Sequence, residues 1–191
     1  MKTKRRCSWV NLDNSLSVQY HDTEWGKPEF DDRKLFEMLI LEGAQAGLSW
    51  NTILNKRENY RIAFDHFNPQ KIAKYDEKKI AELLQNSGIV RNKLKINSVV
   101  KNAKIFLDIQ QEFGSFSNYI WAFVKNKPIK NHIQDYAQTP AMTPLSDKIS
   151  KDLKKRGMSF VGSTIIYAFM QAVGMVNDHQ TDCFCRQTED L

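Results

Sequence analysis

A chain of 191 residues buries one sizeable core and needs no second one; with 41% apolar and 26% charged residues it has a soluble globular balance, which excludes a disordered or membrane-embedded protein. No run approaches the roughly 18 apolar residues of a membrane span, and the basic start, Lys2-Thr-Lys-Arg-Arg6, leads into Cys7-Ser-Trp-Val10 without the apolar middle of a secretory signal, so the expectation is a cytoplasmic protein with no membrane contact. The net charge of +6 favours a polyanionic partner, while three cysteines are too few for a disulfide framework and point to metal or to nothing.

Helical periodicity dominates and strand alternation is scarce, so the predicted fold class is all-α, a single domain over residues 1–191 with two lobes allowed. Asp31 or Asp32 caps a predicted helix through Leu35 to Leu41, whose apolar residues face nearly every direction, as in a helix buried on most sides. Glu42 closes that run, and Ser49 caps the next helix, which carries Ile53, Leu54 and Tyr60. Pro69 and Asp76 each open a short helix, the second closed by Ser87-Gly88. The longest segment places Leu94, Val99, Val100, Ala103, Phe106 and Leu107 at three- and four-residue steps and ends at Gly114-Ser115. Tyr119, Trp121, Phe123 and Val124 form another short helix. From Lys125 to Pro144 the chain turns polar, with Pro128, Pro140 and Pro144 interrupting it, which predicts one long loop. Ser146 then caps a helix ending at Lys154-Lys-Arg-Gly157, and a second runs from Ser163 to Val173, a unit of about residues 146–174.

Three groups of residues carry chemistry. Gly157 and Gly162 lie five residues apart between the last two helices, a spacing that permits a tight turn with outward N–H groups where a phosphate can sit. Lys154, Lys155 and Arg156 add charge there, although an ordinary helical corner with solvated lysines reads equally from spacing. Cys7 and His21 near one end, with His179 and Cys183 near the other, make two thiols and two imidazoles, enough for a closed tetrahedral zinc shell that fastens the termini and activates no water. Buried structural Cys and hydrogen-bonded His are the alternative, and Cys185 can replace Cys183 at a spacing that suits a helical face less well. Last, Glu42 follows a strongly apolar run, with Tyr20, Trp25 and Trp50 as flat faces nearby. One carboxylate among aromatic rings describes a receptor for a flat cation, unless Glu42 simply pairs with a structural Arg or Lys.

Taken together, Cys7-x-Trp9, Tyr20-His-Asp-x-Glu-Trp-Gly26, Leu35-Phe-Glu-Met38, Leu41-Glu-Gly-x-Gln-Ala-Gly-Leu-Ser-Trp50, Lys56-Arg-Glu-Asn-Tyr60, Leu153-Lys-Lys-Arg-Gly-x-x-Phe-Val-Gly162 and Val176-Asn-Asp-His179 resemble the signatures of the bacterial 3-methyladenine DNA glycosylase I family, over residues 7–183. The resemblance implies a helix–hairpin–helix glycosylase fold whose termini are joined by a structural zinc ion, and a monofunctional enzyme that flips N3-methyladenine out of double-stranded DNA and releases it by hydrolysis. By position it implies Cys7, His21, His179 and Cys183 as zinc ligands and Glu42 as the catalytic, base-recognising carboxylate. It also implies Tyr20, Trp50 and Trp9 as base-binding aromatics, and Gly47 and Leu48 as a loop that fills the gap left by the flipped nucleotide. Gly157, Gly162 and Lys155 fall on the DNA-binding hairpin, and a monomer is expected. Asp178 is a candidate either for stabilising the sugar cation or for orienting His179. Three departures stand out: Ser17 where relatives carry tyrosine, an interval between Cys7 and His21 longer by one residue, and Ser163 where proline is common. The first is expected to loosen one wall of the pocket, the last to matter little for phosphate binding.

Overall fold

The computed structural model describes residues 4–187. Ten α-helices are described: α1 Ser15–Thr23, α2 Asp32–Gln45, α3 Trp50–Ala63, α4 Pro69–Ile72, α5 Glu77–Gln85, α6 Lys93–Phe113, α7 Phe116–Ala122, α8 Pro144–Lys155, α9 Ser163–Ala172 and α10 Phe184–Gln187. No helix among the described residues is long and apolar enough to cross a membrane.

The core is built around α2. Its residues from Leu35 to Ala44 are all buried, and it packs against α3, α6, α7 and α9. Each fully buried Leu or Phe contributes about 1.5–3 kcal/mol of transfer free energy, which is why this helix needs no polar face. The two adjacent aspartates at its start divide the work. Asp31 accepts from Lys34 N and caps α2, whereas Asp32 accepts from Phe116 N, Ser117 N and Gln110 Nε2, joining the starts of α2 and α7 to the end of α6. Along α6, Val99, Val100, Ala103, Phe106 and Ile109 form the inward face, and the Phe106 ring sits 4.8 Å from Phe36 and 4.3 Å from Phe116. Leu94 departs from the predicted stripe and is 71% exposed, because at 3.6 residues per turn it lies on the side of α6 opposite the buried Ile96 and Ala103.

Several boundaries differ from the sequence reading. Helix α1 was not anticipated: it buries the polar Ser17 and His21 beside Tyr20, so its inward face carries no apolar period. Helix α8 starts earlier than predicted, capped by Thr143 instead of Ser146. Pro144 takes the first helical position, where a missing N–H costs nothing, and the Ser146 hydroxyl accepts in return from Thr143 N. The fold is also mostly rather than wholly helical. Strand β1, Ile129–Lys130, pairs in parallel with β2, Val176–Asn177, and Ile133 bridges to Gln180, so the expected long loop is pinned to the C-terminal segment. Two-residue strands are too short to display alternation in a sequence.

Between α8 and α9 the chain turns through residues 156–162. Gly157 takes φ +104, a left-handed conformation that L side chains avoid. Gly162 does not share that need. Its φ is −62 and it serves as the N-cap of α9, while the second left-handed position falls on Phe160, at φ +57. Asn102 of α6 holds the turn with both ends of its amide, donating to Ser159 O and accepting from Ser159 N, and Ser150 donates to Val161 O.

Candidate active site and metal centre

Tyr20 from α1, Glu42 from the last turn of α2, Trp50 at the start of α3, Trp9 and Trp25 from the N-terminal segments and Tyr136 from the pinned loop line a cavity of about 280 Å³. Glu42 is 5% exposed and makes no ion pair or hydrogen bond with any described residue, so burial alone pushes its carboxyl up to about 8. Arg57, whose guanidinium lies 5.9 Å from the Tyr20 ring, is held elsewhere: its Nε donates to Glu37 at 2.6 Å and it pairs with Glu24 at 2.8 Å. Glu42 is therefore not locked to an internal cation.

The aromatic walls touch one another. Tyr20 and Trp50 have ring centroids 5.1 Å apart at 45°, too close for a purine to lie between them as they stand. Trp9 meets Trp25 edge-on at 5.0 Å and Tyr20 at 6.3 Å. The indole Nε1 atoms of Trp9 and Trp50 are buried without a partner. Burial, the nearby Asp178 charge and other neighbours push the Tyr136 hydroxyl up to about 12, so it stays a neutral donor. Tyr136 and Gln171 were missed in the sequence, since a tyrosine in a polar loop and a glutamine on a core helix carry no local signal.

Beside this cavity a groove of about 190 Å³ runs between the α2–α3 loop and the start of α9, and Glu42 lines both. Gly47, at φ +76, makes the loop's turn, and Leu48 stands at its tip 41% exposed. Gly162, the N-cap of α9 without a side-chain cap, adjoins Thr164 and Ile165 on the groove's far wall. Lys155 is exposed at the end of α8. Arg156 is not a free charge there, as it pairs with Glu112 at 2.6 Å and Asp152 at 2.9 Å. Ser17 is buried and is not among the residues that line the cavity; its hydroxyl accepts from Asn11 N. Ser163 lies 3.0 Å, hydroxyl to hydroxyl, from Ser146.

At the opposite side of Trp25 the two chain ends meet. His21, His179, Cys183 and Cys185 offer ligand atoms all within 4.8 Å of one another. His21 Nδ1 is 2.8 Å from Asp22 Oδ1, which aims Nε2 at Cys183 Sγ, 3.4 Å away. Nδ1 of His179 lies 3.0 Å from Asn177 Oδ1, leaving Nε2 buried with no partner. Burial moves the His179 imidazole down to about 4, so it is neutral and has a lone pair to give. Cys7 adjoins the cluster: its backbone N lies 3.4 Å from His21 Nε2 and its sulfur accepts from Gln180 N. Cys185 stands beside Cys183 and does not replace it, with its sulfur 3.9 Å from His21 Nδ1. Two imidazoles, three thiols and an orphaned Nε2 suit a zinc-type ion. Asp178 accepts from Tyr167, Gln171 and Asn131, and it is the Oδ1 of Asn177 that faces His179 Nδ1.

Comparisons with known proteins agree with one another. A family described as methyladenine glycosylase matches residues 9–186. The chain is 51% identical over 181 residues to the DNA-3-methyladenine glycosylase of Haemophilus influenzae, covering 95% of this chain and 97% of that one. It is 48% identical over 180 residues to DNA-3-methyladenine glycosylase 1 of Escherichia coli, covering 94% and 96%. The 3-methyladenine DNA glycosylase I of Staphylococcus aureus, solved to define its recognition of 3-methyladenine, superposes with a TM-score of 0.91 at 34% identity, covering 94% and 95%.

Proposed function

The chain belongs to the methyladenine glycosylase family and is a DNA glycosylase, and from that premise we propose that it flips N3-methyladenine out of duplex DNA and hydrolyses its bond to deoxyribose without a lyase step. The observation that carries this reading is Glu42, a carboxyl buried without a partner inside an aromatic cavity. Methylation at N3 gives the base a positive charge. A cationic ring supplies the ion pair Glu42 lacks and draws its proton off, whereas neutral adenine leaves a buried carboxyl unpaired, so selection acts on charge.

The same charge weakens the glycosidic bond. As the C1′–N9 bond breaks, its electron pair goes to N9 and neutralises the base, water oxygen bonds to C1′, and the water proton passes to solvent. Glu42 and the ring faces hold the base, and little acid catalysis is required of them. No lysine lines the cavity among the described residues, which supports hydrolysis over amine attack. Flipping costs a few kcal/mol, less for a damaged base. Leu48 offsets part of this by filling the vacated stack. Gly157, Gly162 and Lys155 hold a backbone phosphate at the α8–α9 turn, which acts as a helix–hairpin–helix unit. His21, His179, Cys183 and Cys7 would hold a zinc ion, whose role there would be to tie the N-terminal and C-terminal segments together.

The test is release of free base from methylated duplex DNA, identified by chromatography. Wild-type protein is expected to release 3-methyladenine and Glu42→Gln to lose most of that activity while keeping duplex affinity. Undiminished release by the Glu42→Gln protein would remove Glu42 from this role.

A further inference from the structure

The loop that carries Gly47 and Leu48 leaves α2 at an end with no basic residue in its last turn. Helix C-termini expose carbonyls that need partners, and a cation there is favoured by the helix dipole. Two of the carbonyls are satisfied inside the turn: Gly43 O accepts from Ala46 N, and Gln45 O accepts from Leu48 N at 2.6 Å. The other two, Ala44 O and Ala46 O, both accept from Lys95 Nζ, at 2.8 and 2.6 Å. One ammonium from another helix thus completes the hydrogen bonding of residues 43–46.

Lys95 is badly placed for its own helix. It sits in the first turn of α6, where its backbone N donates to the Asn92 cap, so its charge opposes the local dipole. It is also partly desolvated, and burial moves its pKa down. Both costs fall on α6, and the compensating bonds all lie at the end of α2. A residue that breaks a local rule in this manner is explained by what it holds.

We propose that Lys95 is a positioning residue for base flipping: it fixes the Gly47–Leu48 turn at the height where Leu48 enters the vacated stack. The proposal rests on the reading of Leu48 given above.

Lys95→Met keeps the methylene stem and removes the donors. Its kcat/KM on duplex DNA carrying N3-methyladenine is expected to fall on the order of tenfold, the scale of losing a charge-assisted hydrogen bond. Its affinity for free 3-methyladenine, which needs the cavity but no wedge, is expected to stay within about twofold of wild type. Lys95→Arg, which retains the charge, should recover part of the loss. If the Met variant does not fold, Lys95→Gln is read in its place. Leu48→Ala, measured in parallel, separates the two ideas. A duplex-selective loss in Leu48→Ala but not in Lys95→Met overturns the role of Lys95 and leaves the wedge standing. No duplex-selective loss in Leu48→Ala overturns the wedge and this proposal together. Equal losses of duplex turnover and free-base affinity in Lys95→Met reduce Lys95 to an ordinary structural tie and overturn the proposal as well.

Discussion

Tyr20 and Trp50 meet directly, ring centroids 5.1 Å apart, at the mouth of the cavity that holds Glu42. A base placed between these two rings has to displace Trp50, because Tyr20 is buried and backed by Trp9, whereas Trp50 is half-buried and begins α3 just after the turn. Trp50→Ala is expected to lower kcat/KM on methylated duplex about 10- to 100-fold, the range of one base–aromatic stack, with Trp50→Phe much closer to wild type. Fluorotryptophan NMR checks the motion. The Trp50 resonance should shift on saturation with free 3-methyladenine, while that of Trp121, whose Nε1 donates to Glu29 O in the core, stays put. An unmoved Trp50 signal at saturation would sink the idea.

Glu42 makes stability depend on pH in a direction opposite to most carboxylates. Its folded pKa, about 8, lies above the ordinary 4.5, so the folded state binds the proton more tightly than the unfolded one. Its contribution is most favourable below pH 4.5, declines as pH rises from there to about 8, and is level beyond. The full span is on the order of 5 kcal/mol, an upper scale for a group this buried. Glu42→Gln should therefore melt several degrees above wild type at pH 8.5, with the gap closing toward pH 4.5. Thermal unfolding of the two proteins across that range measures it; parallel curves would show that Glu42 is already stabilised by something else.

The same titration bears on turnover. Pairing with a cationic base requires the carboxylate, so kcat/KM for methylated duplex should rise with pH through neutrality and level off near pH 8. In Glu42→Gln that rise should vanish. A pH–rate profile shared by both proteins would assign the dependence to another group.

The residues that chemistry demands were legible because each is locally odd. A glutamate after an unbroken apolar run, cysteines and histidines gathered at two distant ends, and Gly157 beside three basic residues all stand out without any contact being known. What was hidden depends on contacts distant in sequence. Tyr136 reaches the cavity only because β1 pairs with β2, and that Cys185 stands beside Cys183 instead of replacing it depends on α10 folding back on α1. Arg156 looked like a third free charge until Glu112, on α6, was found against it. The second glycine of the α8–α9 turn does not take the second left-handed position, which falls on Phe160, where the sequence offers no reason to suspect it.

That distinction between neighbouring cations can be measured. Lys155→Gln is expected to weaken duplex binding alike for methylated and unmethylated DNA and to reduce the salt slope of log K by about one, as for loss of one phosphate contact. Arg156→Gln should instead lower the melting temperature by breaking its pairs with Glu112 and Asp152, and leave the salt slope unchanged. The reverse pattern would place Arg156, not Lys155, on the phosphate.

The candidate metal centre offers three thiols, and the two edges of the His21 ring favour two of them. Asp22 occupies the Nδ1 edge at 2.8 Å, and Cys185 sits on that side; the Nε2 edge faces Cys183 and the backbone of Cys7. A ligand nitrogen whose partner ring nitrogen donates to a carboxylate is the usual arrangement at zinc. The expected ligand set is therefore Nε2 of His21 and of His179 with Cys183 and Cys7, although the compact group of ligand atoms contains Cys185 and not Cys7. Cys7→Ser and Cys183→Ser are expected to purify with well under one zinc per chain, while Cys185→Ser retains it. Chelation of the wild-type protein should lower the melting temperature on the order of 10 °C, since the ion closes a loop spanning nearly the whole chain. The chelated protein should still bind free 3-methyladenine at temperatures where it stays folded, because no ligand lines the base cavity. Zinc lost from Cys185→Ser and kept in Cys7→Ser would place the ion on the other edge of His21.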